Sequence, residues 1–221
     1  MIVHDSGPVT LIGGANVAYA DLTAAQAIAP WVVAADGGAD TALAQGVMPE
    51  AVIGDFDSIS ADARTRIPAE RLHPIAEQDS SDFDKCLRNI EAPLIVGLGF
   101  SGARLDHQLA ACNTLVCHPH HRCLLVGSDD VVFLCPPSLK LDLPKDCPVS
   151  LFPMGAVEGV SDGLTWPIAG LNFAPDGQIG TSNRAKGAVH LSLTAPKMLV
   201  MVPRVHLTLV ADALLAAPAR W

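Results

Sequence analysis

Two aspartates stand two residues apart in VIGDFDSIS, residues 52–60, where an apolar run ends at Gly54. If this segment is extended, alternation places the side chains of Asp55 and Asp57 on the same side of the chain. Carboxylates that close repel each other unless a cation or a proton lies between them, and carboxylate oxygens are typical Mg²⁺ ligands. The segment therefore predicts either a Mg²⁺ site or a turn in which Asp57 or Ser58 caps the following helix.

A second acidic segment, EQDSSDFDKCL over residues 77–87, fits the start of a helix. Ser81 is placed to act as the N-cap, and Asp82 and Asp84 would lie in the first turn, where negative charge stabilises a helix. Together with Asp79, these carboxylates exceed what a cap requires. The segment therefore also favours metal binding.

A third segment, GFSGARLDHQLA over residues 99–110, combines small residues with an arginine. Ser101 and Gly102 give a flexible loop whose backbone amides can face an anion where a helix begins. Arg104 fits a phosphate clamp, or a surface ion pair with Asp106 that contributes little to stability. The sequence contains no GxxxxGK[ST], and GGANVA at residues 13–18, after the first predicted strand, does not match GxGxxG. We therefore expect neither a P-loop kinase nor a standard dinucleotide-binding protein.

The elements that must position these segments follow from the hydrophobic pattern, which alternates apolar strands with amphipathic stretches through about residue 135. Strands are predicted at 9–14, 31–36, 51–55, 93–99 and 123–127, and helices at 21–29, 39–46, 81–90 and 104–117. This alternation predicts a mostly parallel sheet with helices on both faces. Ligands of such sheets bind beyond the carboxyl ends of the strands, where the glycine and polar residues would meet.

The pattern changes near residue 136. The segment CPPSLKLDLPKDC is proline-rich and is interpreted as turn-like, so we place a domain boundary there. The short apolar runs VSLFPM, GAVHLSL, KMLVMV and VHLTLV follow, and they are typical of a small antiparallel sandwich or barrel. The predicted fold is an α/β N-terminal domain with a mostly parallel sheet, residues 1–136, and an all-β C-terminal sandwich domain, residues 137–221.

Composition limits the partners of the chain. A formal net charge of −9 and a charged fraction of 17% indicate a globular chain without long-range attraction to nucleic acid or to anionic membranes. The N-terminal residues MIVHDSGPVTLIGG lack the basic and apolar regions of a secretory signal, and no run approaches the roughly 18 apolar residues of a membrane span. We therefore expect a cytoplasmic protein with reduced thiols.

The segment CHPHHRC concentrates metal-ligating side chains, namely Cys117, His118, His120, His121 and Cys123. It lacks the CxxC pair and the second distant pair that are typical of zinc sites. A polar connection between a helix and a strand is therefore the favoured interpretation, and the sequence does not decide whether any metal binds.

Six blocks stand in order along the chain: AADGGAD (34–40), VIGDFDSI (52–59), QDSSDFDKCL (78–87), GARLDHQLAACNTL (102–115), GVSDGLTWPI (159–168) and IGTSNRA (179–185). Together they resemble the thiamin pyrophosphokinase family. The resemblance implies transfer of a pyrophosphoryl group from ATP to the hydroxyethyl oxygen of thiamin, giving thiamin diphosphate and AMP. It also implies Mg²⁺, a nucleotide-binding α/β domain, a β-sandwich domain, and a homodimer with its active site at the subunit interface.

The resemblance also implies roles for individual residues. Asp55, Asp57 and Asp82 would hold Mg²⁺ and the ATP phosphates, and Arg104 and Asp106 would line the phosphate path. Asp36 would lie at the nucleotide site, and Gln78 would contact substrate. The strand-end and loop residues Gly37, Gly38, Ser101 and Gly102 are further candidate binding residues from the sequence pattern. The thiamin-binding segments contain Trp166, Ser182 and Asn183.

Chemistry agrees with the thiamin-binding roles, although structural roles compete with them. A tryptophan at 166 can stack on the thiazolium cation, and Ser182 and Asn183 can form hydrogen bonds with the aminopyrimidine. The alternatives are a sandwich-core position for Trp166 and a simple turn for Ser182 and Asn183.

The transfer needs alignment and charge neutralisation more than covalent chemistry. The thiamin oxygen would attack the β-phosphorus in line and AMP would leave, with Arg104 stabilising negative charge. The proton acceptor stays open among Asp55, Asp57, Asp82 and Asp106.

Two other functions compete with pyrophosphoryl transfer. A DxD phosphatase would use Asp55 as nucleophile, but Gly54 and Ile59 depart from that pattern. A non-catalytic thiamin- or nucleotide-binding protein is disfavoured, because the chain has all of the aspartates that the family resemblance assigns to the metal and the phosphates.

The chain departs from the family pattern at Ala103, where the family commonly has glycine. We expect that this position does not need a positive φ.

Overall fold

The computed structural model describes residues 1–102 and 104–221, and the chain divides into two units, residues 1–114 and 115–221. Ala103, and with it the expectation about its φ, lies outside the described residues. The strands of the first unit are β1 (Val3–His4), β2 (Val9–Ile12), β3 (Trp31–Ala35), β4 (Ala51–Gly54), β5 (Leu72–Pro74), β6 (Ile90–Glu91) and β7 (Ile95–Leu98). The helices that begin in it are α1 (Tyr19–Ile28), α2 (Gly38–Ala44), α3 (Ala61–Arg66), α4 (Asp82–Asn89) and α5 (Leu105–Cys117), with a 3₁₀ turn at Ala69–Arg71.

The first unit is built on a parallel sheet in the order β7-β2-β3-β4-β5, and β1 pairs separately with β6. Every residue of β2, β4 and β7 is buried. Strands buried on both faces read as continuous apolar runs, which is why they were recognisable in the sequence. The predicted strands and helices of this unit are confirmed in type and position.

Two helix starts test the predicted caps. The hydroxyl of Ser81 accepts a hydrogen bond from the backbone N–H of Asp84 at 3.2 Å, so Ser81 caps α4 as predicted. The cap predicted at Asp57 or Ser58 is wrong. Helix α3 begins later, at Ala61, and Ser60 is its cap because its hydroxyl accepts a bond from the backbone N–H of Ala63. The residues after β4 are thereby left for a loop.

Gly38 lies where the first turn of α2 passes the end of β2. A Cβ atom at this position would lie 2.1 Å from the carbonyl oxygen of Ile12. That distance is far too short for a carbon and an oxygen that are not bonded. Gly38 therefore lets α2 begin directly against the sheet, which fixes the turn that carries Asp36.

Replacing Gly38 with alanine should lower the free energy of unfolding by about 2–4 kcal/mol, because backbone must move to admit the methyl group. For a chain of this size the melting temperature should fall by roughly 5–15 °C. Circular dichroism during heating measures the change. Gly14→Ala is the matched control, since a Cβ there meets no atom of the described residues within 4 Å. Equal melting temperatures of the two variants would contradict the prediction.

The second unit is dominated by antiparallel strands. They are β8 (Cys123–Val126), β9 (Asp130–Leu134), β10 (Ser138–Leu141), β11 (Pro148–Pro153), β12 (Gly159–Leu164), β13 (Gly180–Leu193) and β14 (Met198–Pro203). Within the unit they pair in the order β8-β9-β14-β11-β13-β10, and β12 also pairs with β13. A 3₁₀ turn at Arg204–His206 leads into helix α6 (Leu207–Ala216).

Two local predictions for this unit are wrong. The segment interpreted as turn-like contains strand β10, because Leu139 and Leu141 alternate inward between its prolines. The run VHLTLV is not a strand, so the C-terminal part of the chain is not all-β. Its continuation buries Val210, Ala211 and Leu214 at helical spacing, and that period becomes visible only beyond Val210.

Across residues 1–102 and 104–221, no helix combines the length and the apolar character that crossing a membrane requires.

Candidate active site

A cavity of about 780 Å³ opens at the carboxyl ends of the parallel strands of the first unit. Its lining includes the residues that follow β2, β3, β4 and β7, namely Gly14, Asp36, Gly37, Asp55, Ser58, Gly99 and Phe100. The start of α4 adds Ser81 and Asp82, and the start of α5 adds Arg104 and His107. The strand ends therefore meet at one ligand-sized opening, as the sequence pattern predicted.

The turn after β4 brings the paired aspartates together, but not by strand alternation. Phe56 has φ of 65°, in the left-handed region, so the segment is not extended. The backbone N–H of Asp57 donates to Oδ1 of Asp55 at 3.3 Å, which closes the turn. Carboxylate oxygens of Asp36, Asp55 and Asp57 all lie within 4.8 Å of one another. Hard oxygen donors at this spacing suit Mg²⁺.

Asp36 is the buried member of this carboxylate cluster, with 1% of its surface exposed. Its Oδ2 accepts from the backbone N–H of Ser58 at 3.0 Å, and its Oδ1 accepts from that of Ile59 at 3.1 Å. Burial raises the pKa of Asp36, although these two hydrogen bonds act in the opposite direction. Asp36 thus ties the end of β3 to the loop that carries Asp57.

Lys85 links the two acidic segments, and the sequence analysis did not single it out. Its side chain is 1% exposed, and its Nζ lies 3.0 Å from Oδ2 of Asp55 and 3.1 Å from Oδ1 of Asp82. Gln78 also donates to Oδ2 of Asp55, at 3.0 Å. One signal was present in the sequence, because Lys85 stands three residues after Asp82 and therefore on the same side of α4.

The pKa shifts agree with this arrangement. Burial acts to lower the pKa of Lys85, but the hydrogen bonds with Asp55 and Asp82 outweigh it and raise the pKa. The hydrogen bond from Lys85 lowers the pKa of Asp55. Asp55 and Lys85 are therefore both charged at neutral pH.

Arg104 and Asp106 form the surface ion pair that the sequence left as an alternative. Nε of Arg104 lies 3.2 Å from Oδ1 of Asp106, and Nη2 lies 2.6 Å from Oδ2. Arg104 holds the pKa of Asp106 below its ordinary value. Arg104 also lines the cavity.

The remaining predicted binding residues of the first unit differ in exposure and in their contact with the cavity. Gln78 is exposed and contacts Asp55, whereas Gly38 is buried at the start of α2. Ser101 and Gly102 are half-buried in the loop before α5, and Gly102 lines the cavity.

Two phenylalanines that were not predicted as site residues form part of the cavity wall. Phe83 and Phe100 both line the cavity, with ring centroids 4.4 Å apart and ring planes tilted by 37°. They supply an apolar surface in the cavity that Asp36 and Asp55 also line, and a flat ring can pack on such a surface.

In the second unit, Trp166 and Asn183 form a local structure. Trp166 is 58% exposed, which rules out a sandwich-core position. Asn183 is buried, and its amide Nδ2 donates to the carbonyl oxygen of Trp166 at 2.7 Å while its Oδ1 accepts from the backbone N–H of Trp166 at 3.1 Å. Ser182 has φ of 63° and is exposed. Asn183 thus fixes the backbone that presents the indole.

Comparison with known proteins identifies relatives of the chain. The family model described as "Thiamin pyrophosphokinase, catalytic domain" matches residues 23–126. Thiamine pyrophosphokinase 3 of Oryza sativa subsp. japonica is 27% identical over 154 residues, which cover 61% of this chain and 58% of the relative. Thiamine pyrophosphokinase of Bacillus subtilis (strain 168) is 31% identical over 122 residues, which cover 52% of this chain and 56% of the relative. The chain thus spans less than two thirds of these curated relatives.

Among solved structures, thiamin pyrophosphokinase from Candida albicans matches with a TM-score of 0.75. The match has 18% sequence identity and covers 90% of this chain and 89% of that chain. At this identity the likeness shows a shared fold.

Proposed function

We propose, on the premise that the chain belongs to the thiamin pyrophosphokinase family, that it transfers a pyrophosphoryl group from ATP to thiamin. The products would be thiamin diphosphate and AMP. The observation that carries the proposal is the carboxylate cluster of Asp36, Asp55 and Asp57, of which Asp36 and Asp55 line a cavity large enough for a nucleotide. The family match at residues 23–126 includes this cluster.

Mg²⁺ fits the cluster, because its donors are carboxylate oxygens within 4.8 Å of one another. Asp55 and Asp57 would hold it, with Asp82 as the proposed third ligand. When bound, Mg²⁺ would neutralise negative charge on the polyphosphate. Asp36 supports the cluster, since both of its oxygens already accept bonds from the loop amides.

The protein side chains supply alignment. Lys85 holds Asp55 and Asp82 in fixed positions through its ammonium group. Arg104 would exchange its contact with Asp106 for the polyphosphate, because a guanidinium binds either anion with the same paired geometry. The proton of the thiamin hydroxyl would pass to one of Asp55, Asp57, Asp82 or Asp106 as the oxygen attacks the β-phosphorus in line.

One assay tests the proposal against its alternatives. Purified protein is incubated with ATP, Mg²⁺ and thiamin, and AMP and thiamin diphosphate are measured. Formation of both products in equal amounts, only when all three components are present, is the expected result. Phosphate release that does not need thiamin would indicate a phosphatase instead, and tight thiamin binding without turnover would indicate a binding protein.

We further propose that residues 1–136 hold ATP and the metal while residues 137–221 hold thiamin. The exposed indole of Trp166, presented by Asn183, supports this assignment because thiazolium is a cation that can stack on an aromatic face. The resemblance to the family also supports a homodimer. Sedimentation equilibrium tests this, since a homodimer has twice the 23.0 kDa mass of one chain.

Replacing Trp166 with alanine should raise the KM for thiamin by about 5- to 30-fold with little change in kcat, because a cation–π contact contributes roughly 1–2 kcal/mol to binding. Steady-state kinetics at saturating ATP measure the effect. Trp31→Ala is the matched control, since Trp31 is also substantially exposed but begins β3. An equal KM for thiamin in the Trp166 variant and the control would show that Trp166 does not bind thiamin.

A further inference from the structure

Three histidines that the proposed reaction does not use lie together in the second unit. One ring nitrogen from each of His118, His120 and His121 lies within 4.8 Å of the other two. The ring centroids of His120 and His121 are 4.2 Å apart, and that of His118 is 6.0 and 6.2 Å from them. This histidine cluster is half-buried at His118 and His121 and exposed at His120.

The backbone holds the cluster in place. The backbone N–H of His121 donates to the carbonyl oxygen of His118 at 3.1 Å, which closes a tight turn between α5 and β8. Pro119 occupies the second position of the turn, where its restricted φ is favoured. On the strand side, Nη2 of Arg122 donates to the carbonyl oxygen of Ala217 at 2.7 Å and Cys123 is buried. These contacts fix the backbone of the turn that carries the three imidazole rings.

We propose that the histidine cluster is a binding site for a divalent transition cation of the Zn²⁺ type. Imidazole nitrogen is a preferred ligand of Zn²⁺ and a poor one for Mg²⁺. Tetrahedral coordination at a Zn–N distance of about 2.0–2.1 Å places neighbouring nitrogens about 3.3 Å apart. Nitrogens within 4.8 Å reach that separation by small side-chain rotations. A water molecule would take the fourth position.

The proposal revises the interpretation of CHPHHRC as only a polar connection. That interpretation rested on the lack of CxxC spacing, whereas the turn gathers the histidines without it. One feature opposes tight binding, because the positive charge of Arg220 acts on His120. The site is therefore expected to bind more weakly than a closed structural zinc site. It is independent of the proposed transferase function.

Metal titration of the full chain tests the site. After chelator treatment, Zn²⁺ alone is titrated into wild type and into His120→Gln by calorimetry. Because His120 is exposed, the variant should keep its fold, which circular dichroism checks. Wild type should bind one equivalent at the cluster, and the variant should bind that equivalent at least tenfold more weakly. The matched control is His190→Gln, an exposed histidine of β13 paired with Ser138, and it should bind like wild type.

Two further measurements separate the cluster from the carboxylates of the first unit. Co²⁺ substituted for Zn²⁺ should give the strong visible absorption of tetrahedral nitrogen coordination, and His120→Gln should lose it. The Asp57→Asn variant should keep both the equivalent and the spectrum. Equal Zn²⁺ affinity in wild type and His120→Gln, or loss of Zn²⁺ binding in Asp57→Asn alone, would overturn the proposal.

Discussion

Replacing Asp57 with asparagine is expected to lower kcat/KM for thiamin diphosphate formation by about 10²- to 10³-fold, equivalent to roughly 3–4 kcal/mol of transition-state stabilisation. Asp57 is the exposed member of the carboxylate cluster, and its carboxylate lies within 4.8 Å of those of Asp36 and Asp55. Asparagine keeps the shape of the side chain but removes the charge that a divalent cation requires. The loss should be largest at low Mg²⁺.

Asp62→Asn is the matched control for this prediction. Asp62 is an exposed aspartate of helix α3, where it pairs with Arg66 at 3.4 Å and, unlike Asp57, is not part of the carboxylate cluster of the described residues. Its removal should leave turnover within a factor of two, which is the range of a weak surface ion pair. Both variants should unfold at the denaturant concentration of wild type. Turnover of Asp57→Asn equal to that of Asp62→Asn would exclude Asp57 from the metal site.

Replacing Lys85 with methionine is expected to cost about 2–4 kcal/mol of unfolding free energy, because the carboxylates of Asp55 and Asp82 lose their buried counter-charge. Because the side chain of Asp82 is 32% exposed and that of Asp55 only 11%, solvent screens the pair with Asp82, and the loss of Asp55's counter-charge makes the larger contribution. Turnover should also fall, because Asp55 and Asp82 would repel each other and leave their positions. Urea unfolding and the transferase assay measure the two effects.

The pH dependence identifies the cause of the Lys85 effect. The pKa of Asp55 is lowered in the folded protein, so its stabilisation is present above the ordinary aspartate pKa of about 3.9 and is lost as the pH falls through the folded value. The pKa of Lys85 is raised, so its stabilisation is present below about 10.4 and is lost as the pH rises through the folded value. The stability difference between wild type and variant should therefore be largest between about pH 5 and 10.

Lys140→Met is the control for lost lysine charge. Lys140 pairs with Asp142 at 3.5 Å on the surface, and its removal should change unfolding free energy by less than about 0.5 kcal/mol at any pH. A Lys85→Met variant as stable as Lys140→Met at neutral pH would show that the buried ion pairs contribute little.

Local pattern was sufficient for four of the five strands of the parallel sheet, β2, β3, β4 and β7, whereas the short strand β5 (Leu72–Pro74) was not predicted. Continuous apolar runs such as β4, and the cap at Ser81, depend on neighbours within a few residues, so their type and position could be read directly. The rule that strands of such a sheet end at one edge then placed Asp36 and Asp55 together. The same local view failed at VHLTLV, where a six-residue window did not yet show the helical period of α6.

The sequence by itself determined which carboxylates lie at the strand ends and which family the chain resembles. Only the tertiary structure decided which partner each side chain meets. Phe56 brings Asp55 and Asp57 together by a left-handed turn rather than by alternation, and Lys85 reaches Asp55 across 30 positions of sequence. Asn183 holds Trp166 in the same long-range way, across 17 positions. Such contacts depend on how buried elements pack, and no pattern within one segment encodes that.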